Sequence, residues 1–335
     1  MGRFLLRRIA LMIPTMLGLV LLTFIVSKVV PADPAKLAAG PRATAAMVEQ
    51  IRQEWGLDQP LYIQFVKYLG NLLQGDWGRS IVSQRPVLDD VRLYFPATLE
   101  LVIASEVLAI VIGIPLGVIA AVKVNRWPDQ LVRIFAVSAG SLPRFWFAIL
   151  LQLTVAVGLG LLPLNGRLPP LALPPDRVTG MYTIDSLLAG DFEMFWTALR
   201  HLALPTFVQA VGSMAIVVRT VRGDVLEAIN RDYVRTARAK GLSELKILRS
   251  HVLRNAFIPT LTMIGLSFGF SIGGSVLVET IFDWPGIGLY AVTAVSNLDF
   301  EPVMGVTILT GVLFIVINLI VDLLYGVLDP RIRFD

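Results

Sequence analysis

Six stretches of this chain are apolar for about 20 residues or more: 9–30, 98–122, 131–162, 201–221, 257–281 and 303–327. At about 1.5 Å of rise per helical residue, each matches the hydrocarbon thickness of a bilayer. Charged residues make up only 16% of the chain, against about 25% in soluble domains. The expectation is an all-α membrane protein with six transmembrane helices. The third stretch is overlong, and Pro143 inside it predicts a kink. The first follows Arg3, Arg7 and Arg8 as a secretory leader would, but its apolar run exceeds an h-region, so it is expected to be retained as a helix.

Six spans place both termini on one side and divide the polar segments into two sets. Segments 1–8, 123–133, 222–254 and 328–335 hold 16 Lys and Arg in 60 residues, whereas 31–97, 163–200 and 282–302 hold 10 in 126. The positive-inside rule makes the first set cytoplasmic, with both termini. On the outer side, Leu61, Phe65, Leu69, Leu72 and Leu73 recur at helical spacing, which predicts an amphipathic helix over 60–74 ending near Gly75. The second outer segment, 163–200, is rich in Pro and Leu and reads as a rigid surface loop.

Several chemistries lack their residues. There is no cysteine, and His201 and His251 stand fifty residues apart without an HExxH or a His/Asp cluster, so disulfides, metal centres and catalytic triads have little to be built from. No G-x-x-x-x-G-K-[ST] phosphate loop occurs, so the chain is not expected to bind ATP by itself. Energy must come from a partner or from a gradient.

Ionisable side chains inside spans are costly and mark paths or structural pairs. Glu100, Glu106, Arg144, Arg219, Glu279 and Asp322 qualify. Arg219, Glu279 and Asp322 lie near span ends and read as snorkelling or interfacial. Glu106 and Arg144 are the deeper pair and the translocation-path candidates. Two roles stay open for them: a structural salt bridge, with each other or with a partner subunit, or recognition of a peptide terminus. An Arg144 facing the path would disfavour cationic cargo. The SLPRFW stretch at 141–146 is a packing kink or a break whose carbonyls line a cavity. Gly265, Gly269, Gly273 and Gly274 form a small-xxx-small pattern, serving an intrachain contact or one with a second subunit.

Residues 231–255, RDYVRTARAKGLSELKILRSHVLRN, concentrate seven Lys and Arg against Asp232 and Glu244. A short helix over 233–240, a turn at Gly241 and a second helix capped by Ser243, with Glu244 in its first turn, are expected. Leu245, Leu248 and Val252 would share a face of that second helix. Tethering beside a bilayer argues against a DNA-reading helix-turn-helix and against nucleic acid as a partner. Lipid headgroup contact and docking of a cytoplasmic protein remain balanced on local physics.

This stretch resembles the EAA loop of ABC-importer membrane subunits, in the form seen in dipeptide/oligopeptide permeases of the DppB/OppB type. Arg235-Thr236-Ala237 stands at the EAA place and Gly241 at the glycine. The resemblance extends through LRRIALMIPT near the start, VVPADP (29–34), GLDQPLYIQF (56–65), GDWGRS (75–80), PATLEL (96–101), IPLGVIAAV (114–122), SLPRFW, ETIFDWPGIG (279–288) and IVDLLYGVLDPRIR (320–333).

The resemblance implies a type I ABC importer permease fold in the bacterial inner membrane. It implies an N-tail and first span over 1–30, an extracytoplasmic insertion over 31–97, and a core over 98–335 carrying the coupling loop 222–255. Arg235, Thr236, Ala237, Gly241, Leu242 and Ser243 would dock an ATPase subunit. The implied partners are a second homologous permease, two ABC ATPases that hold the ATP and magnesium, and an extracytoplasmic peptide-binding protein, with the 31–97 insertion as an outer platform near it. ATP-driven closure of the ATPases would move the loop and switch the cavity from inward-facing to outward-facing. The cargo would be di- or oligopeptides, with glutathione or nickel as same-family alternatives. A stand-alone secondary transporter and an intramembrane hydrolase are the readings from other classes.

Overall fold

A computed structural model describes residues 2–29, 34–40 and 42–328. Most of the VVPADP motif and the C-terminal DPRIR stretch, with the cytoplasmic placement expected of it, lie outside the described residues. The elements are α1 (Gly2–Val29), α2 (Pro34–Ala39), α3 (Ala45–Glu54), α4 (Leu61–Leu73), α5 (Val87–Val122), α6 (Trp127–Ser141), α7 (Arg144–Leu151), α8 (Tyr182–Leu188), α9 (Phe192–Ile229), α10 (Asp232–Ala239), α11 (Glu244–Ile247), α12 (Leu253–Ile281), α13 (Ile287–Ser296) and α14 (Phe300–Leu328). Two π-helical turns, Gln152–Gly158 and Leu248–Val252, extend α7 and join α11 to α12.

Among the described residues five helices, α1, α5, α9, α12 and α14, contain continuous stretches long and apolar enough to span a membrane. The third expected span is instead a broken pair, α6 and α7 with its π turn, bent by 104°. The expected kink is a break because Leu142, the residue before Pro143, is extended at φ −75° and ψ 127°, as proline's Cδ requires of its neighbour. Helices also start earlier than hydropathy suggests. α5 begins at Val87, and α9 begins behind Asp191, whose carboxylate accepts a 2.8 Å bond from Met194 N. Polar first turns outside the apolar window are helical too.

The chain divides into two compact units. One comprises Met1–Pro96 with Gly286–Leu313. Within it α4 lies against α1 through Phe24, whose ring is 5.4 Å from Phe65 and 5.9 Å from Tyr68. Gly75, at φ +85°, follows the C-cap of α4 as its spacing predicts. The buried carboxylates Asp90 and Asp299 gather the connecting turns: Tyr290 OH donates to Asp90 at 2.9 Å, and Ser80 Oγ and Val82 N donate to Asp299 at 2.7 and 3.1 Å.

The other unit comprises Ala97–Pro285 with Phe314–Asp335 and is centred on α9. About 78% of the apolar stretch of α9 is buried, against 33% for α5 and 39% for α12. Close approach is arranged with glycine. A Cβ at Gly117 would lie 2.8 Å from Val221, and Cβ atoms at Gly265 and Gly269 would lie 2.0 Å from Val321 and 2.7 Å from Phe314. The small-residue pattern of α12 therefore serves an intrachain contact at Gly265 and Gly269. Gly273 has nothing within 4 Å of its Cβ position, and Gly274 makes room for Arg144.

Candidate functional site

The basic stretch folds as α10, a turn, and α11 running through a π turn into α12. Gly241 sits at φ +75°, in the left-handed region. Its N–H donates to Arg238 O at 2.9 Å, and Leu242 N donates to Ala237 O at 3.3 Å. Together these two bonds make a Schellman motif, which consumes carbonyls left over at the end of α10 and requires a residue that tolerates positive φ. The motif's apolar contact is present too, since Ala237 and Leu242 join the cluster of Val234, Ile247 and Val252.

Ala237 is buried and Leu242 half-buried, whereas Arg235, Thr236, Gly241 and Ser243 are exposed. Six expected docking residues thus divide into two that hold the joint together and four that present it. Ser243 occupies the N-cap position of α11, but its side chain makes no capping bond. Arg238 reaches across the turn and bonds both carboxylate oxygens of Glu244, at 2.8 and 3.1 Å. That hydrogen bond holds the Glu244 carboxyl below its usual range. The expected face of Leu245, Leu248 and Val252 does not form. Leu245 is 57% exposed and Ile247 is buried in its place, because the π turn at Leu248–Val252 shifts the helical register.

A second cluster lies deep in the spans. Glu106 of α5 is buried, and its Oε1 accepts from Ser213 Oγ of α9 at 2.7 Å and from Ser271 Oγ of α12 at 2.5 Å. Its Oε2 has no hydrogen-bond partner. Beside it Gln209 Nε2 donates to Ser271 O at 2.9 Å while Gln209 Oε1 stays unpaired. Arg144, first residue of α7 behind the break, is half-buried, and its guanidinium lies in a notch left by two glycines. A Cβ at Gly212 would stand 3.1 Å from Nη2, and one at Gly274 would stand 2.3 Å from Nη1. Its charge acts on Glu106 through space, without a contact ion pair between them. The direct Glu106–Arg144 salt bridge is therefore not the arrangement found.

Sequence reasoning missed the serines that hold Glu106. Ser267, Ser271 and Ser275 recur every four residues along α12 and are all buried, so a polar stripe in an apolar span was the available signal.

Two other charges take roles that their positions along the spans did not suggest. Glu279, expected to be interfacial, is fully buried and accepts from Thr98 Oγ1 at 2.8 Å and Ser275 Oγ at 2.7 Å. Glu100 has its partners within the fold. It pairs with Arg167 at 2.5 Å and accepts from Thr183 N and Oγ1 at 2.8 and 2.7 Å, while Arg167 stacks 3.5 Å over the Tyr182 ring. The Pro-rich segment after α7 is thereby pinned to α5. Its Asp185 carboxylate, also buried, accepts from Thr179 N, Thr179 Oγ1 and Gly180 N. Burial pushes this carboxyl up, but those bonds outweigh it and hold it below the ordinary aspartate range.

Residues 113–334, which carry the glycine joint and most of the polar cluster, match the family described as binding-protein-dependent transport system inner membrane component. Residues 1–102 match the N-terminal model of the same kind of membrane component. The chain belongs to this family.

As a binding-protein-dependent permease it is a non-catalytic, multi-pass inner-membrane component of an ABC importer. That membership removes the secondary-transporter and hydrolase readings. Among curated relatives, the probable D,D-dipeptide transport system permease protein DdpB of Escherichia coli K12 is 48% identical over 94% of this chain and 93% of its own. The dipeptide transport system permease protein DppB of the same strain is 39% identical over 99% of each chain, and the glutathione transport system permease protein GsiC is 41% identical over the whole of both. A solved chain of the inward-facing MetNI methionine ABC transporter superimposes at a TM-score of 0.49 with 18% identity, covering 70% of this permease and 93% of that chain. That likeness is too loose to carry residue roles.

Proposed function

We propose that this permease carries short peptides, pairing with a second, homologous permease around a shared path, with both termini cytoplasmic. An extracytoplasmic binding protein delivers the peptide, and two ATPase subunits hold ATP and magnesium. The observation that supports peptide cargo above others is the 48% identity over 94% of the chain to a relative named for D,D-dipeptide transport. The glutathione relative, at 41%, keeps a modified tripeptide on the panel.

Arg235, Thr236, Gly241 and Ser243 present the joint to an ATPase groove, and Ala237 and Leu242 keep its two helices locked. Because α11 continues through the π turn into α12, force on the joint passes directly into a span. Glu106 and Arg144 face the path. The unpaired Glu106 Oε2 and the Arg144 guanidinium, free of ion pairs among the described residues, offer opposite charges to a peptide's termini.

The test is co-expression of the tagged chain with the products of its neighbouring genes. A copurifying ATPase, and ATP-dependent uptake of dipeptides into proteoliposomes supplied with the binding protein, are expected. A complex that retains no ATPase, or one that imports no di- or tripeptide, defeats the reading.

A further inference from the structure

The unit formed by Met1–Pro96 and Gly286–Leu313 contains a cavity of about 510 Å³, lined by none of the residues already assigned a role. Small-molecule sites commonly fall between about 300 and 1,000 Å³. Its walls come from the end of α1, the loops around α3 and α4, the turn at 76–79 and the start of α14.

Three cationic side chains line it, Lys28, Lys67 and Arg79, together with three anionic ones, Glu54, Asp76 and Glu301. A balanced wall favours an occupant that carries both signs over a net cation or anion. Lys28 and Glu301 make no contact ion pair with each other, so neither head group is taken up by the other. Glu301 is held in place by the turn, since a Cβ at Gly78 would lie 2.6 Å from Glu301 Cγ. Lys28 Nζ lies 5.4 Å from the Phe24 ring centroid.

An independent observation concerns Gln59, which also lines the cavity. Its Oε1 is buried and accepts no hydrogen bond, a cost that a ligand N–H would remove. Trp55, Tyr68 and Trp77 add flat apolar surface for side chains or peptide planes.

We infer that this cavity is a binding site for a zwitterionic short peptide, with Glu301 receiving the α-ammonium group, Lys28 the α-carboxylate and Gln59 Oε1 a peptide or ammonium N–H. The inference rests on the peptide-importer reading for its cargo class. The site gives the permease a contact with cargo that is separate from both the binding protein and the Glu106–Arg144 cluster.

The experiment uses the whole transporter, permease pair with ATPases, in lipid nanodiscs without nucleotide and without the binding protein. Binding of radiolabelled alanyl-alanine, in L,L and D,D forms, is compared with its N-acetylated and C-amidated derivatives. The free dipeptide is expected to bind at least 10-fold more tightly than either blocked form. Glu301→Gln is expected to abolish the preference over the N-acetyl form, and Lys28→Met the preference over the amide. Each ratio is read within one variant, so partial loss of folded complex does not obscure it. Blocked and free forms binding within twofold of one another, preferences unchanged in both variants, or no saturable binding at all would overturn the inference. Uptake by the same complex with binding protein and ATP is measured in parallel. Uptake without binding sinks this site alone, whereas absence of any peptide uptake sinks the functional reading.

Discussion

Arg238 clasps Glu244 across the Gly241 turn, Nε to Oε1 at 2.8 Å and Nη2 to Oε2 at 3.1 Å. The pair is exposed, and such pairs add little stability in water. Its effect is on angle: together with the Schellman bonds it fixes the direction in which α10 leaves α11. The joint is thus held by backbone geometry first and by charge second.

Gly241→Val is therefore expected to break ATPase copurification and transport while the chain stays in the membrane. The cause is φ rather than space, since nothing lies within 4 Å of the Cβ position. A left-handed conformation costs an ordinary L-residue about 1–2 kcal/mol, and asparagine less. Gly241→Asn should accordingly keep most transport. Equal transport by the valine variant and wild type would remove the role assigned to the turn.

Arg144 makes no ion pair with Glu106, so Arg144→Ser should leave the thermal unfolding temperature within about 2 °C of wild type, as expected of a change within ±0.5 kcal/mol. It should alter which peptides compete for uptake, measured with a panel of cationic, neutral and anionic dipeptides. An unaltered panel with a lowered unfolding temperature would show that the residue is structural.

Breaking the Glu100–Arg167 pair should be costly, because it leaves a charge buried and unpaired. Loss of one partner of a buried pair costs about 3–5 kcal/mol. Glu100→Gln and Arg167→Met are each expected to expose the 159–191 segment to limited proteolysis, and the double variant should recover part of the loss. Wild-type protease resistance in both single variants would contradict the anchoring role.

The Asp185 carboxyl titrates lower in the folded chain than in the unfolded one. Its contribution is therefore fully present above the unfolded value of about 4 and is lost as pH falls through the folded value. Protection of amides 178–191, followed by hydrogen exchange, should hold at pH 6 and drop below pH 4. In Asp185→Asn the same amides should be less protected at pH 6 and lack that acid-dependent drop.

Local chemistry along the chain determined where apolar helices run, which polar segments are rich in Lys and Arg, that α4 ends at Gly75, and that a glycine turn divides residues 231–255. Each of these depends on residues near one another in sequence: hydropathy over about 20 positions, or φ tolerance at one. Only the tertiary structure decided what each polar side chain meets. Glu279 lies near the end of α12 yet is fully buried, because Thr98 of α5 comes to it from 181 positions away. Ala237 is small and looked presentable to a partner, but it is buried in one cluster with Val252, the last residue of a π turn that hydropathy cannot register. Arg144 and Glu106 looked like mutual partners because both are charged and deep. Two serines from other helices occupy the carboxylate first, and two glycines from those same helices open the notch that holds the guanidinium apart from it.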